Sequence, residues 1–239
     1  MILNYNHEII QVNIERTARS TLSISIKKDA TILVKAPRML SDDKIRELLD
    51  KKSQWIIEKR NEAKREQSIK IKRDYIDGAT LPYMGVEYPI EIIPAKKSSV
   101  ELLQGKSQDE NRIIIRTSKT ERDDIQKLLK KWYKKQTKEV ISSRVAYYGE
   151  IIKVSVNAID IKSRKTEWGS CDSHGNLTFN WKLVMAKPES IDYVVVHELC
   201  HRKHMDHSKQ FWCEVKKYLP DYKERQKWLK DNSVNLNIE

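Results

Sequence analysis

The stretch His197-Glu198-Leu199-Cys200-His201-Arg202-Lys203-His204-Met205-Asp206-His207 decides how the rest of this chain is read. It carries H-E-x-x-H and then a third histidine six residues after the second. On an α-helix, side chains four residues apart lie about one turn apart on one face, so His197 and His201 can point their imidazoles at a single metal ion. Glu198 stands one step round from His197, close enough to orient a water on that ion without binding it. A five-residue pattern of this kind also recurs by chance in helices that bind nothing. Four of the chain's six histidines fall in these eleven residues, however, and a solvated helix face gives no reason for that.

The third ligand needs a separate argument. A continuous helix from His201 to His207 would carry the last histidine roughly 9 Å along the axis and off the metal face. The helix is therefore expected to break so that the chain doubles back. Histidine and aspartate are among the few non-glycine residues enriched at positive φ, so His204 or Asp206 is expected to make the turn. His207, arriving from beyond the turn, is the preferred third ligand. His204 is its rival, because it lies near the same helix face. Three imidazoles with a fourth position left open describe a catalytic zinc site, one Zn2+ per chain. Cys200 lies on the far side of the helix from the ligands and reads as a small buried core residue.

The 239 residues allow one large or two small domains and easily bury a core. Charged residues at 33% and hydrophobic ones at 39% exclude wholesale disorder. The start, Met1 to Gln11, has no basic segment followed by a long apolar core, so no signal peptide is expected. No apolar run approaches the roughly 20 residues of a membrane span. Three cysteines, Cys171, Cys200 and Cys213, suit reduced thiols in a cytoplasm. A net charge of +12 and a pI near 9.4 leave open a nucleic-acid or nucleotide partner through the basic surface. Scattered solubilising charge would look the same.

Upstream, His7 to Ile14, Thr21 to Ile26 and Thr31 to Ala36 alternate like strands of an antiparallel meander stopped by Pro37. Ser41 reads as the N-cap of a helix running to a charged tail near Glu66. Asp77-Gly78 and Gly85 mark turns, the second a hairpin between Leu81 to Met84 and Val86 to Ile93. Val100 to Leu103 and Arg112 to Arg116 are further short strands around a polar loop, Gln104 to Asn111. Residues 1–117 thus read as a β-rich domain with one helix, and residues 118–239 as a second domain. No tandem repeat is legible.

The second half opens on a long helix, about Thr120 to Gly149, with lysines 127, 130, 131, 134, 135 and 138 crowding its polar surfaces. Asn157 to Ile161 and Leu177 to Met185 read as strands. Pro188 suits the first position of a helix through the histidines. That assignment overrides the strand propensity of Tyr193-Val194-Val195-Val196, because the metal spacing requires helix. Ser208 caps a helix through Phe211, Trp212, Val215 and Leu219, ended by Pro220, and Tyr222 to Leu229 is a last one.

Trp168-Gly169-Ser170-Cys171, Asn180-Trp181-Lys182-Leu183, Ile191 to His201 and His207-Ser208 with Phe211-Trp212 carry a resemblance. Together with weaker matches at Ala36-Pro37 and Trp55-Ile56, they resemble the YgjP-like metal-dependent hydrolases, relatives of the SprT and WLM zinc metallopeptidases. The resemblance implies an α+β fold whose C-terminal half is zincin-like, with the active-site helix beside a small sheet. It also implies zinc on His197, His201 and His207, with Glu198 as the catalytic carboxylate, and a peptide or protein substrate. Trp168, Gly169, Ser170 and Cys171 are candidates for the substrate-binding border of the cleft, together with Asn180; Trp168 also suits a core position behind the helix. One residue departs from the family pattern: Glu167 stands where a basic side chain is usual. Metal-assisted peptide hydrolysis is the leading expectation. A metal-dependent nucleotide pyrophosphatase and a nucleic-acid-associated protease or binding module are the alternatives.

Overall fold

The computed structural model describes residues 1–5, 8–27, 29–68, 75–105, 107, 110–164 and 167–238. The parts of the expectations that concern His7, Lys106, Gln108, Asp109, Lys165 and Thr166 lie outside the described residues. The chain divides into two compact units, Met1–Ile71 and Lys72–Glu239.

The first unit is a four-stranded sheet covered by helices. Its strands, β1 (Ile2–Tyr5), β2 (Glu8–Thr17), β3 (Ser23–Ile26) and β4 (Ile32–Pro37), lie in the order β1-β2-β4-β3. The expected meander is corrected here. β3 folds back antiparallel on one edge of β4, and β2 takes the other edge in parallel register, Val12 opposite Ile32. Alternation buries Ile32, Val34 and Ala36 and leaves Lys35 exposed. These side chains, with Ile10 and Val12, pack on Ile45 and Leu49 of α1 (Asp42–Asp50) and Ile56 of α2 (Ser53–Ser68). Ser41 caps α1 by accepting from the Lys44 N–H. The single helix expected here is two, because the chain turns at Lys51 and Lys52, whose N–H groups donate to Glu47 and Leu49.

The second unit opens with the same topology. Its strands β5 (Thr80–Tyr83), β6 (Val86–Pro94), β7 (Ser99–Leu103) and β8 (Arg112–Thr117) lie in the order β5-β6-β8-β7. The outer pairs are again antiparallel and the central pair parallel. Each sheet leads into a helix that starts with an Asp pair and continues Ile-x-x-Leu-Leu. In α1 these are Ile45, Leu48 and Leu49; in α3 (Arg122–Ile152) they are Ile125, Leu128 and Leu129. A repeat is therefore present, carried by strand order more than by residue identity.

The expected boundary between residues 117 and 118 is also corrected. Leu81, Ile90, Ile113 and Ile115 share one core with Ile125, Leu129, Trp132 and Tyr133 of α3, so the β5–β8 sheet belongs to the same unit as α3. Of the α3 lysines, Lys130 lies over the Trp181 ring at 5.5 Å, Lys138 donates to the Ile159 carbonyl and Lys135 meets Glu139 at 3.8 Å.

Around the histidines stands a smaller sheet. β9 (Ala158–Lys162), β10 (Gly169–Cys171) and β11 (Asn176–Asn180) form it in the order β10-β11-β9. The strand expected to run to Met185 stops at Asn180, whose side chain accepts from the Lys182 N–H and starts a 3-10 helix, Trp181–Met185. Then comes α4 (Pro188–Cys200), beside β10, and after it α5 (Lys209–Tyr218) and α6 (Tyr222–Asn232).

In α4, Val194, Val195 and Val196 are almost wholly buried. Burying each contributes about 1.5–3 kcal/mol, whereas a valine in a helix costs only about 0.6 kcal/mol relative to alanine. Burial wins, and the run is helical.

The β5–β6 hairpin fixes the approach to α4. Met84 and Gly85 have φ of 52° and 80°, the paired positive values of a tight hairpin turn. Their N–H groups donate to Val184 and Met185, and a Cβ on Gly85 would stand 2.8 Å from the Lys187 Cα. Gly85→Ala is therefore expected to lower unfolding stability by about 2 kcal/mol or more, read from the shift in a urea midpoint at unchanged slope.

Candidate metal centre

The helix α4 ends at Cys200, with His201 as its C-cap at φ −63°. The backbone then tightens: Arg202 donates to Leu199, and both Lys203 and His204 donate to Cys200. No residue from His201 to His207 has a positive φ. The turn expected from His204 or Asp206 in the left-handed region is thus made without it. Asp206 contributes differently, its side chain accepting from the Ser208 N–H. Ser208 then accepts from Phe211 at 3.5 Å and starts α5.

This fold-back brings His197, His201 and His207 together, with one nitrogen of each ring within 4.8 Å of the others. The Nε2 atoms of His197 and His207 stand 3.1 Å apart. Two ligands of a tetrahedral ion with bonds of about 2.0–2.1 Å would be separated by roughly 3.3–3.4 Å, so the spacing suits a shared ion. His204 is not in this group. Its backbone carbonyl lies 3.0 Å from His201 Nδ1, which holds the ring and leaves Nε2 facing the cluster.

Phe211, fully buried, lies against the group. Its ring centroid is 4.5 Å from that of His201, stacked, and 4.9 Å from those of His197 and His207. Trp212 borders His197 and His207 at 5.7 and 5.8 Å and stacks on Tyr222 at 5.3 Å. The sequence places Phe211 and Trp212 in a helix and among the residues of the family resemblance, without a role beside the metal ligands. Their spacing of four and five residues after His207 is the available signal, because it puts them about one helical turn beyond a ligand.

Glu198 is 4% exposed and meets β10 closely: a Cβ on Gly169 would come within 2.6 Å of its Oε1. Glycine is required there for the carboxyl to lie against the strand. β10 is an edge strand, paired on one side with β11. Trp168 is half-buried against the core, and its carbonyl accepts from the Asn180 N–H. The Asn180 amide donates to the carbonyls of Arg164 and Glu167, bracing the loop that enters β10. Arg164 also reaches Ser170 Oγ at 3.2 Å. Glu167 is exposed and ion-paired with Arg164 at 3.2 Å. Cys200 is fully buried, and Cys171 is half-buried in β10.

Burial sets the charges. It lowers the His197 pKa to about 3, with His201 and His207 adding to the shift, and it lowers that of His201. Both rings are therefore held neutral, the form that ligates metal. Burial, and then the charge of Glu167, pushes Glu198 up to about 8. A cation beside it would favour the carboxylate and reverse that shift.

Fold and site together define an α+β protein with a histidine cluster suited to a metal ion. The family model described as YgjP-like, metallopeptidase domain, matches residues 20–232. The chain belongs to this family of metallopeptidase domains. No curated protein matches the chain. Among solved structures, the metallopeptidase zymogen abylysin of Pyrococcus abyssi is similar at 22% identity and a TM-score of 0.36, covering 39% of this chain and 95% of that one. That likeness is too partial to bear on the site.

A carboxyl whose pKa is raised on folding binds more protons folded than unfolded, so it lowers stability as pH climbs from about 4.5 toward 8. Each unit is about 1.4 kcal/mol. In the presence of a chelator, Glu198→Gln should therefore match the wild type near pH 4.5 and exceed it by a few kcal/mol above pH 8. Urea unfolding across that range reads the difference, and a pH-independent gap would show that the carboxyl is not desolvated.

Proposed function

We propose that the chain is a zinc-dependent peptidase whose ligands are His197, His201 and His207 and whose general base is Glu198. The observation that carries this reading is the gathering of the three imidazoles within 4.8 Å, beside a carboxyl that is buried and free of any cationic partner among the described residues. The residues fit the ion: neutral nitrogen donors at near-tetrahedral spacing, with one ring held by a carbonyl behind it. When bound, such an ion supplies Lewis acidity and a water acidified toward neutral pH.

The rest is done by the protein. Glu198 accepts the proton of the attacking water and delivers it to the departing amine. Gly169 lets that carboxyl lie directly against the strand where substrate would run. β10 offers the open edge, so a peptide pairing with Trp168 to Cys171 would bring its backbone past Glu198. Asn180 acts one layer behind, as a brace for this border. Glu167 sets a negative charge near its entrance, countered by Arg164.

Peptide is favoured over nucleotide by the family and by the open strand edge. Free Cys171, Cys200 and Cys213 suit a cytoplasmic protein. No helix among the described residues is long and apolar enough to cross a membrane.

The test is metal content and cleavage measured on the same samples. Zinc is expected to bind one per chain, to be lost in His207→Ala and to be retained in His204→Ala. Glu198→Gln should keep zinc and lose turnover by about 100-fold or more. Gly169→Ala should keep zinc and lose turnover about 10-fold or more through displacement of Glu198. Wild-type turnover in Glu198→Gln would remove its assigned role.

A further inference from the structure

Tyr193 stands one helical turn before His197 on the same face of α4, with its ring centroid 5.8 Å from that of His197. Only 6% of its surface is exposed, so the ring is fixed in the site's wall. Two other buried tyrosines are paired: Tyr75 donates to the Ile238 carbonyl and Tyr133 to that of Pro82 at 2.7 Å. No described residue accepts from the Tyr193 hydroxyl, and its oxygen is not among the atoms sealed from solvent without a partner. Its oxygen therefore keeps some access to solvent, with its proton unused among the described residues.

Its surroundings locate that place. Burial raises the pKa of the Tyr193 phenol, and the nearby Glu198 carboxyl and Tyr222 add to that shift. Tyr222 stacks on Trp212, which borders His197 and His207. The hydroxyl thus belongs to the same neighbourhood as the imidazoles and the carboxyl.

We infer that Tyr193 is a further catalytic residue, its hydroxyl donating a hydrogen bond to the carbonyl oxygen of the scissile peptide as negative charge builds there. Glu198 and the histidines are all acceptors or ligands when the site is ready to act, so they offer that oxygen no side-chain proton. A positioned donor is worth most where charge develops, and it needs no proton transfer. The inference rests on the peptidase reading above and deepens it: one tyrosine serves the oxygen of the bond, and one glutamate serves the water.

The test compares zinc-loaded wild type, Tyr193→Phe and Tyr222→Phe in the full chain, with thermal unfolding and zinc content as controls. Two readouts are taken. One is kcat and KM on a fluorogenic peptide; the other is the equilibrium affinity for a phosphinic peptide, whose tetrahedral phosphorus and charged oxygens mimic the carbonyl carbon under attack. Tyr193→Phe is expected to keep zinc and fold, to lower kcat by about 10- to 100-fold with KM within about 2-fold, and to weaken phosphinate binding in proportion. Wild-type kcat and phosphinate affinity in Tyr193→Phe overturn the assignment while leaving the peptidase reading intact. So does a loss seen in Tyr222→Phe instead. A zinc-loaded wild type that neither cleaves peptides nor binds the phosphinate overturns both.

Discussion

Everything at the centre of this protein depends on one requirement of chain geometry: a helix must stop so that a histidine beyond its end can return to two histidines at its close. A helix continued to His207 would have carried that ring roughly 9 Å up the axis. Instead α4 ends at Cys200, and the turn after it sets His207 Nε2 3.1 Å from His197 Nε2. The same turn lays the His204 carbonyl on His201 Nδ1. Backbone hydrogen bonds to Leu199 and Cys200 and the side-chain caps of Asp206 and Ser208 thus do the positioning, and Phe211 packs against all three rings.

The electrostatic consequence runs through the whole site. Apolar packing keeps His197 and His201 neutral and drives Glu198 toward its protonated form. A buried carboxyl without a cationic partner is unfavourable on its own. The fold tolerates it because α4 buries Ile191, Val194, Val195, Val196 and Leu199, whose burial outweighs the penalty. A cation bound by the imidazoles would relieve that cost and favour the Glu198 carboxylate, so metal binding and the charge of Glu198 are linked through one local field.

What could be read from residues alone was what is local. The helix through His197, the caps at Ser41 and Ser208, Pro188 at a helix start and the turn at Gly85 all come from neighbours a few positions apart. What escaped was non-local. β2 chooses a parallel partner across an intervening strand, and local alternation carries no information about that choice. The true division near residue 71 depends on β8 and α3 sharing a core, and the repeat of the two four-stranded sheets lies in strand order. At the site, the gathering of His197, His201 and His207 was legible from spacing. The contact of Gly169 with Glu198, the packing of Phe211 on the histidines and the surroundings of the Tyr193 hydroxyl were not, because each depends on which side chains the folded chain brings together.

The central claim, one ion shared by three imidazoles and no sulfur, is tested most directly by zinc X-ray absorption on the zinc-loaded chain. The account predicts nitrogen and oxygen scatterers at about 2.0–2.1 Å with the outer-shell signature of three imidazole rings. A sulfur scatterer at about 2.3 Å, or a signal fitted by fewer than three rings, would contradict it.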